Sequence, residues 1–435
     1  MTPDALRPYQ QIGVEFLASK TYAVLADDPG LGKTVQAILA AKRIGAKAIH
    51  IVCPAIAVTN WQRHLDLWWP GNTCVKVASY EYWARAGTFK MHFPYPSLLI
   101  IDEGHYLKNR KAKRTRKIYG WKSPQLISQF DLVWVLTGTP APNHAGEWYT
   151  HLRWGRPDLI PGRNGKPKTY DEFEEEFVKV ETTNWGNKPV GNKNPEGLLA
   201  LLKHFCLRRK TEDVLPDLPP LMWEHCTVDA GESLGELAEL EKDPIALEMA
   251  AHIQKKGDLN FKLPWVQVTT MRRLIGEAKA KAIGRQIWDE LSEDAYQNIV
   301  VGFHHRSVGA RLFAEINELF TCLRIDGDTS PKLRQEAIDR FQAGEIPVLL
   351  VQMGAGGVAI TLHGTNRVDI VEQSWVPAEN QQFVARVHRF GQKRPVIARV
   401  WGLANSIDDS IAAVVVRKLK SSQEIEIETG EMRNV

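Results

Sequence analysis

The stretch Asp28-Pro29-Gly30-Leu31-Gly32-Lys33-Thr34 sets two glycines, a lysine and a hydroxyl in an order suited to holding phosphate. Closely spaced glycines let backbone N–H groups approach phosphate oxygens, and a following helix N-terminus adds partial positive charge. In such a loop Lys33 reaches the β- and γ-phosphates, and the Thr34 hydroxyl holds Mg²⁺. One position departs from G-x-x-x-x-G-K-T: Asp27 stands where a glycine is expected. A second group, Asp102-Glu103-Gly104-His105, follows the apolar run 97–101. Hydrolysing a nucleoside triphosphate needs one carboxylate near the Mg²⁺ shell and another to orient the attacking water. Asp102 suits the first role and Glu103 the second. Thr137-Gly138-Thr139-Pro140 adds hydroxyls behind the apolar run 132–136, suited to sensing phosphate state. Gln382, Arg386, His388 and Arg389 fall on one helical pattern, and Arg386 and Arg389 at i, i+3 share a face. Either arginine suits stabilising charge on a phosphoryl group in transfer.

These residues need elements to hold them. The apolar run 22–26 reads as a strand feeding the loop, and 35–42 as the helix leaving it. Buried-type strands are expected at 46–53, 74–78, 97–101 and 132–136, with a tryptophan-rich helix at 58–69. Strands that alternate with helices and end in polar residues describe a parallel α/β sheet with its site at the strand C-termini. From about 156 to 190 the pattern breaks into loop residues and the acidic stretch 171–176, read as a helical insertion with a solvated face. Residues 198–210 return to helix, and Pro216, Pro219 and Pro220 mark a boundary. A second α/β pattern has strands near 298–303, 322–325, 348–351, 367–371 and 396–400, and closes with an amphipathic helix at 406–420. It has no second phosphate loop. The expected organisation is an N-terminal lobe over 1–222 with an insertion at about 156–205, a bridge over 223–270 and a C-terminal lobe over 271–435.

The bulk properties bound the partners. The chain has 435 residues, 44% hydrophobic and 24% charged, with a net charge of +4. It is long enough for two or three cores, and too evenly charged for composition alone to require a polyanion. Five scattered cysteines without a C-x-x-C pair argue against zinc and against a disulfide framework. No run of ~18 apolar residues occurs, so neither membrane spanning nor secretion is expected. A cytoplasmic, nucleoid or nuclear location follows. Distribution says more than net charge. Residues 108–117 carry Lys108, Arg110, Lys111, Lys113, Arg114, Arg116 and Lys117 with no acid, and begin five residues after Glu103. Clustered cations displace counterions condensed on DNA and carry no base information, so sequence-independent binding is expected.

From about Leu6 to Ile411 the chain resembles helicase superfamily two, specifically its Swi/Snf-type double-stranded-DNA translocase branch, and is most similar to the compact annealing-helicase subgroup. The matching stretches run in the family's order: Leu6-Arg7-Pro8-Tyr9-Gln10, DDPGLGKT, Cys53-Pro54 with Asn60-Trp61, Ser79-Tyr80-Glu81, and DEGH followed by Leu107-Lys108-Asn109. LTGTPAPN and LRRK come next, then the Asp326-Gly327 turn with Arg334 and Phe341, AGGVAITL, and Trp375-x-Pro377 running into QFVARVHRFGQ. The resemblance accounts for Asp27, since the family's loops carry aspartate there. It implies two tandem RecA-like lobes with an ATP cleft between them. It places Arg7, Gln10, Asp28, Pro29, Gly30, Leu31, Gly32, Gly357 and Gln382 at the nucleotide, with Gln10 on the adenine. Lys33, Thr34, Asp102 and Glu103 keep the roles given above, and Arg386 and Arg389 are implied to reach across the cleft. Gly356 and Gly357 would couple that cleft to DNA, with Lys108, Asn109, Arg110, Lys111, Lys113, Arg114, Thr139 and Gly327 among the DNA contacts. Departures are Asp28-Pro29 for Glu-Met, His64 for glutamate, Ala359 and Thr361 for glycine and asparagine, and Ala385 for an acid.

The function expected is an ATP- and Mg²⁺-dependent motor, a monomer, tracking along double-stranded or branched DNA and directed by a protein partner or by DNA structure. Two other readings stand beside it: a strand-separating DNA or RNA helicase, and a nucleotide-gated nucleic-acid clamp with little turnover. A P-loop kinase of small molecules is disfavoured by the second lobe. The two lobes, insertion and bridge use nearly the whole chain, leaving no further domain to act as a strand-separating wedge, with a short hairpin inside the insertion as the remaining alternative.

Overall fold

Strand β1 (Tyr22–Leu25) is buried at every position, as are β2 (Ala48–Cys53) and β4 (Ser97–Asp102). This is the signature of a parallel sheet covered on both faces. The computed structural model describes residues 6–72, 74–85, 93–120, 126–138, 144–163, 165–183, 186–229, 248–249, 251–253, 265–293, 295–354, 361–375 and 377–428. Thr139, Pro140, Gly356, Gly357 and Ala359 lie outside them. The chain divides into two units, the first ending its main span at Pro216 and the second starting at Asp217.

In the first unit these strands join β3 (Val75–Ser79), β5 (Leu132–Leu136) and β8 (Cys206–Leu207) in the order β3-β2-β4-β5-β1-β8, parallel throughout. Alternate residues serve opposite faces. Ala23, Leu25, Ile51, Ile100 and Trp134 pack with Leu17, Ile38 and Trp61, while Val24, Val52, Leu99, Ile101 and Val135 pack with Phe173 and Phe205. Leu25 pairs with Leu136, which pairs on its other side with Asp102. Three adjacent strands therefore deliver the phosphate loop, Thr137 and the acidic pair at one level of one sheet end.

The insertion is not all helix. The acidic stretch does form a helix, Tyr170–Phe177, whose Phe173 and Phe177 are its buried face. It runs straight into an antiparallel hairpin of β6 (Val178–Thr183) and β7 (Gly186–Asn192), followed by a helix at Pro195–Leu202. Val178, Val180, Thr182 and Thr183 put β-branched residues where a strand accommodates them better than a helix. The helix expected to reach Lys210 stops at Leu202, because Cys206 and Leu207 pair with Val24 and Leu25 as an edge strand.

The second unit repeats the plan in the order β11 (Cys322–Ile325), β12 (Val348–Gln352), β10 (Ile299–Phe303), β13 (Arg367–Ile370), β14 (Val396–Leu403) and β9 (Leu221–Val228). The stretch read as the start of a bridge is thus strand β9, in parallel register with all of β14 from Leu221–Val396 to Val228–Leu403. A 28-residue helix, Trp265–Ser292, leads into β10, and Ile407–Glu428 closes the unit eight residues beyond the helix end read from sequence at 420. Arg367, fully buried on β13, forms ion pairs with Asp369 and Glu290, and Arg399 pairs with Glu290 and Glu224. That network ties β9, β13 and β14 to the long helix.

His151 is fully buried in the first unit, with Nδ1 hydrogen-bonded to the hydroxyls of Tyr22 at 2.9 Å and Tyr119 at 3.2 Å. Burial lowers its pKa from 6.5 to about 4, so the folded form holds a neutral ring. Between those values the unfolded chain binds a proton that the folded chain refuses. The stability it contributes is complete above pH 6.5 and is lost as pH falls towards 4, on the order of 3 kcal/mol. His50, lowered to about 4 by burial and by Lys76, adds a second such proton. Urea melts across this window should therefore show a steeper pH dependence for the wild type than for His151→Gln, by one proton. Equal slopes would mean that His151 titrates normally.

Candidate active site

The phosphate loop is positioned by two helices and a strand. Helix α1 (Pro8–Ala18) places Gln10, whose Nε2 donates to the Leu31 carbonyl at 3.3 Å while its Oε1 accepts from the Arg7 amide at 3.1 Å. Helix α2 (Lys33–Arg43) starts from Gly32, which caps it in a left-handed conformation (φ 78°, ψ 34°). The positive φ calls for glycine, and a Cβ there would also push aside the Gln10 amide, whose Nε2 would lie 2.6 Å away. Lys33 Nζ donates to the loop's own carbonyls, Asp27 O at 2.5 Å and Asp28 O at 3.0 Å. Thr34 is the second residue of α2, beside the helix N-terminus. A glycine-shaped backbone, a helix N-terminus and a lysine that donates to loop carbonyls fit a polyphosphate.

Asp27 is fully buried, and its carboxylate receives Arg209: Nε on Oδ1 at 2.9 Å and Nη2 on Oδ2. Arg209 also donates to the Tyr9 carbonyl and to Gln36 Oε1, and Gln36 Nε2 returns to Asp27 Oδ2 at 3.2 Å. The following residues close the clamp, with Asp28 N on Arg209 O at 3.0 Å and Thr211 N on Asp28 Oδ2 at 2.9 Å. One guanidinium thus joins α1, the phosphate loop, α2 and the chain leaving β8. In the sequence Arg209 stands only within LRRK; an aspartate directly behind the apolar run 22–26 is the signal that pairs with it.

Asp102 ends β4 with Oδ2 accepting the Trp61 indole N–H at 2.7 Å and Oδ1 accepting the Glu103 amide at 3.0 Å. Burial, then the charge of Glu103, raise its pKa; the Trp61 bond and the Lys33 charge oppose the rise. A cation at this position would relieve that strain on the charged form. Asp102 and Thr34 carry oxygens of the kind Mg²⁺ takes; among the described residues no group of three or more His, Cys, Asp or Glu could hold a metal. Glu103 is left-handed (φ 51°, ψ 54°), and Gly104 packs so closely that a Cβ would lie 2.2 Å from Val135 Cγ1. The Tyr80 hydroxyl donates to the Asp102 carbonyl at 2.7 Å and lies 3.3 Å from that of Glu103, whose Oε2 faces His105 Nδ1 at 3.2 Å. Trp61 and Tyr80 entered the sequence reading only as family markers; here they hold the acidic pair.

The basic stretch is divided in use. Lys108 pairs with Glu147 at 3.6 Å, and the Arg110 guanidinium lies 4.0 Å from the Tyr170 ring centroid. Asn109 Oδ1 accepts the Lys111 amide at 2.9 Å. Lys111, Lys113, Arg114 and Arg116 are exposed, on a short helix Lys113–Ile118 and the turn before it, while Thr115 and Ile118 face inward.

In the second unit, Gln382 lies on the helix Pro377–Val384, but Arg386 and Arg389 lie past its end. The Arg386 amide turns back three residues to the Phe383 carbonyl at 3.2 Å, ending the α-helical ladder, and its own carbonyl accepts the Leu362 amide at 2.8 Å. Arg386 is buried, and its Nη1 has no hydrogen-bond partner among the described residues. Burial, then Arg334 and Arg389, lower its pKa to about 10. Arg389 Nη1 donates to Thr361 Oγ1 at 2.9 Å, so the threonine that departs from the family pattern supplies an acceptor. Three guanidinium groups gathered in one corner suit an anion. Gly327, in the turn after β11, donates its amide to Gln352 Oε1 at 3.1 Å.

Comparison with known proteins adds an independent line. The model of the SNF2-related domain matches residues 9–87 and 70–232, and that of the helicase conserved C-terminal domain matches 279–391. The SWI/SNF-related matrix-associated actin-dependent regulator of chromatin subfamily A-like protein 1 of Xenopus tropicalis is 27% identical over 95% of this chain and 44% of its own length. Its Caenorhabditis elegans homolog is 27% identical over 99% of this chain and 63% of its own length. The TATA-binding protein-associated factor mot1 of Schizosaccharomyces pombe is 26% identical over 90% of this chain and 25% of its own length. The chain thus spans about half the length of the first relative, under two thirds of the second and a quarter of the third. A solved structure, the Sulfolobus solfataricus SWI2/SNF2 ATPase core in complex with dsDNA, aligns over 96% of this chain and 95% of its own at 20% identity and TM-score 0.43. Among the described residues no helix is long and apolar enough to cross a membrane.

The Asp27–Arg209 pair is directly testable. Arg209→Met strands a buried carboxylate and should cost about 3–5 kcal/mol, whereas Asp27→Asn with Arg209→Met together should recover at least half of that. Urea midpoints of the two variants and the wild type give the comparison. A loss below about 1 kcal/mol for Arg209→Met would show that Asp27 finds its compensation elsewhere.

Proposed function

Since the chain belongs to the SNF2-related family, we propose that it hydrolyses ATP and uses the cycle to move along double-stranded or branched DNA. The observation that carries the hydrolytic half is the Asp102–Glu103 turn, buried beside Lys33 and held in a left-handed conformation at the sheet end that also carries the phosphate loop. In this reading the α2 N-terminus and loop amides receive the phosphates, and Lys33 exchanges the Asp27 and Asp28 carbonyls for phosphate oxygens. Thr34 and Asp102 would hold Mg²⁺, which supplies charge neutralisation on the phosphates. Glu103 orients the attacking water, with His105 beside its carboxylate. Gln10 contacts the adenine, and Arg386 and Arg389 stabilise charge on the transferring phosphoryl group. The DNA half rests on family membership and on the four exposed cations after Glu103. We take the working form to be a monomer, brought to its DNA by a protein partner or by DNA structure.

Steady-state turnover tests the first half. Duplex DNA should stimulate ATP hydrolysis, Lys33→Ala should abolish nucleotide binding, and Glu103→Gln should bind ATP without turning it over. Wild-type turnover in Glu103→Gln would overturn the assignment. For the second half, an ATP-dependent motor on intact duplex should strip a triplex-forming third strand while leaving a tailed duplex paired. The hairpin β6–β7 favours one other reading, because strand separation needs an intruding element. Efficient unwinding of a tailed duplex without triplex displacement would replace translocation by that helicase reading.

The basic stretch yields a separate expectation. Neutralising Lys111, Lys113, Arg114 and Arg116 together should weaken binding to all DNA sequences alike and reduce the slope of log K against log salt by up to about 4. An unchanged slope would place the DNA path elsewhere.

A further inference from the structure

We propose that Tyr80, Tyr106 and Arg114 form a relay linking the exposed basic stretch to the hydrolytic turn, with Tyr106 the positioning residue through which DNA contact accelerates turnover. This rests on the function proposed above and adds the route by which one activity drives the other. The inner end is the Tyr80 hydroxyl, which donates to the Asp102 carbonyl at 2.7 Å and lies 3.3 Å from that of Glu103. The Glu103 carbonyl also accepts the Tyr106 amide at 3.0 Å, so the turn is gripped from both tyrosines. Their rings are stacked, centroids 5.4 Å apart and planes inclined by 18°. The outer end is Arg114. Its guanidinium lies 5.0 Å from the Tyr106 ring centroid, and its Nε donates to the Tyr106 carbonyl at 2.9 Å. Arg114 is exposed, and its terminal nitrogens make no hydrogen bond to any described residue.

A backbone phosphate taken by those terminal nitrogens would fix Arg114, and through it the Tyr106 ring and carbonyl. Ring stacking and the shared Glu103 carbonyl pass the restraint to a turn whose left-handed residue is the one that must orient water. Coupling of this kind changes equilibria by about 5- to 150-fold. The order of contacts also says which residue to change. Tyr106 is partly exposed and touches neither phosphate loop nor DNA in the proposed function, so altering it interrupts the relay while leaving its two ends in place.

The test compares the rate of ATP hydrolysis with and without saturating duplex DNA in the wild type, Tyr106→Leu and Tyr106→Phe, alongside DNA affinity by anisotropy. Tyr106→Leu should lower the ratio of stimulated to basal rate by about 5- to 10-fold with DNA affinity within about twofold. Tyr106→Phe, which keeps the ring stack, should restore the ratio. Tyr80→Phe, which removes only the hydroxyl, should lower kcat with and without DNA while KM for ATP stays put. A wild-type ratio in Tyr106→Leu, or an equal loss in Tyr106→Phe, overturns the relay. A wild-type protein that DNA fails to stimulate removes the functional reading itself, and the relay with it, before any variant is compared.

Discussion

A carboxylate without solvent exposure keeps its charge only when an opposite charge and hydrogen bonds replace the lost water, and Asp27 obtains both from Arg209. Much of the first unit's site depends on that exchange. The guanidinium reaches the Tyr9 carbonyl on α1 and Gln36 on α2, so the helix that offers Gln10 and the helix that starts at the phosphate loop share one anchor. The loop needs such an anchor because two of its glycines have positive φ and contribute no side chain to hold it. Lys33 can then rest on loop carbonyls without the loop collapsing onto it.

The alternation of apolar strands and helices was legible because a doubly covered parallel sheet leaves continuous hydrophobic runs, as at β2 and β4. The acidic pair was legible for a related reason, since charged residues directly behind such a run must lie at its end. What escaped was set by partners distant in sequence. Arg209 meets Asp27 across 182 residues, and Trp61 meets Asp102 across 41. No periodicity encodes those meetings. The hairpin β6–β7 escaped because its residues, polar and glycine-bearing, lack a strong period of either kind. The helix expected around Arg386 and Arg389 failed for a local reason: past Val384 the amides of Arg386 and Val387 turn back only three residues, to Phe383 and Val384, and the α-helical ladder ends.

In the second unit the gathering of Arg334, Arg386 and Arg389 works against folding, since like charges are brought together and one is buried. Thr361 and Thr329 relieve part of this with a hydroxyl and a carbonyl, and Phe383 lies beneath the Arg386 guanidinium. Elsewhere the unit buries its arginines against acids, as Arg367 does against Asp369.

Glu103 carries a further consequence. A left-handed backbone is disfavoured for a residue with a β-carbon, typically by about 1–2 kcal/mol, whereas glycine adopts it freely. Selection for heat resistance alone would therefore favour replacing Glu103 with glycine, a change that discards the carboxylate along with the discomfort.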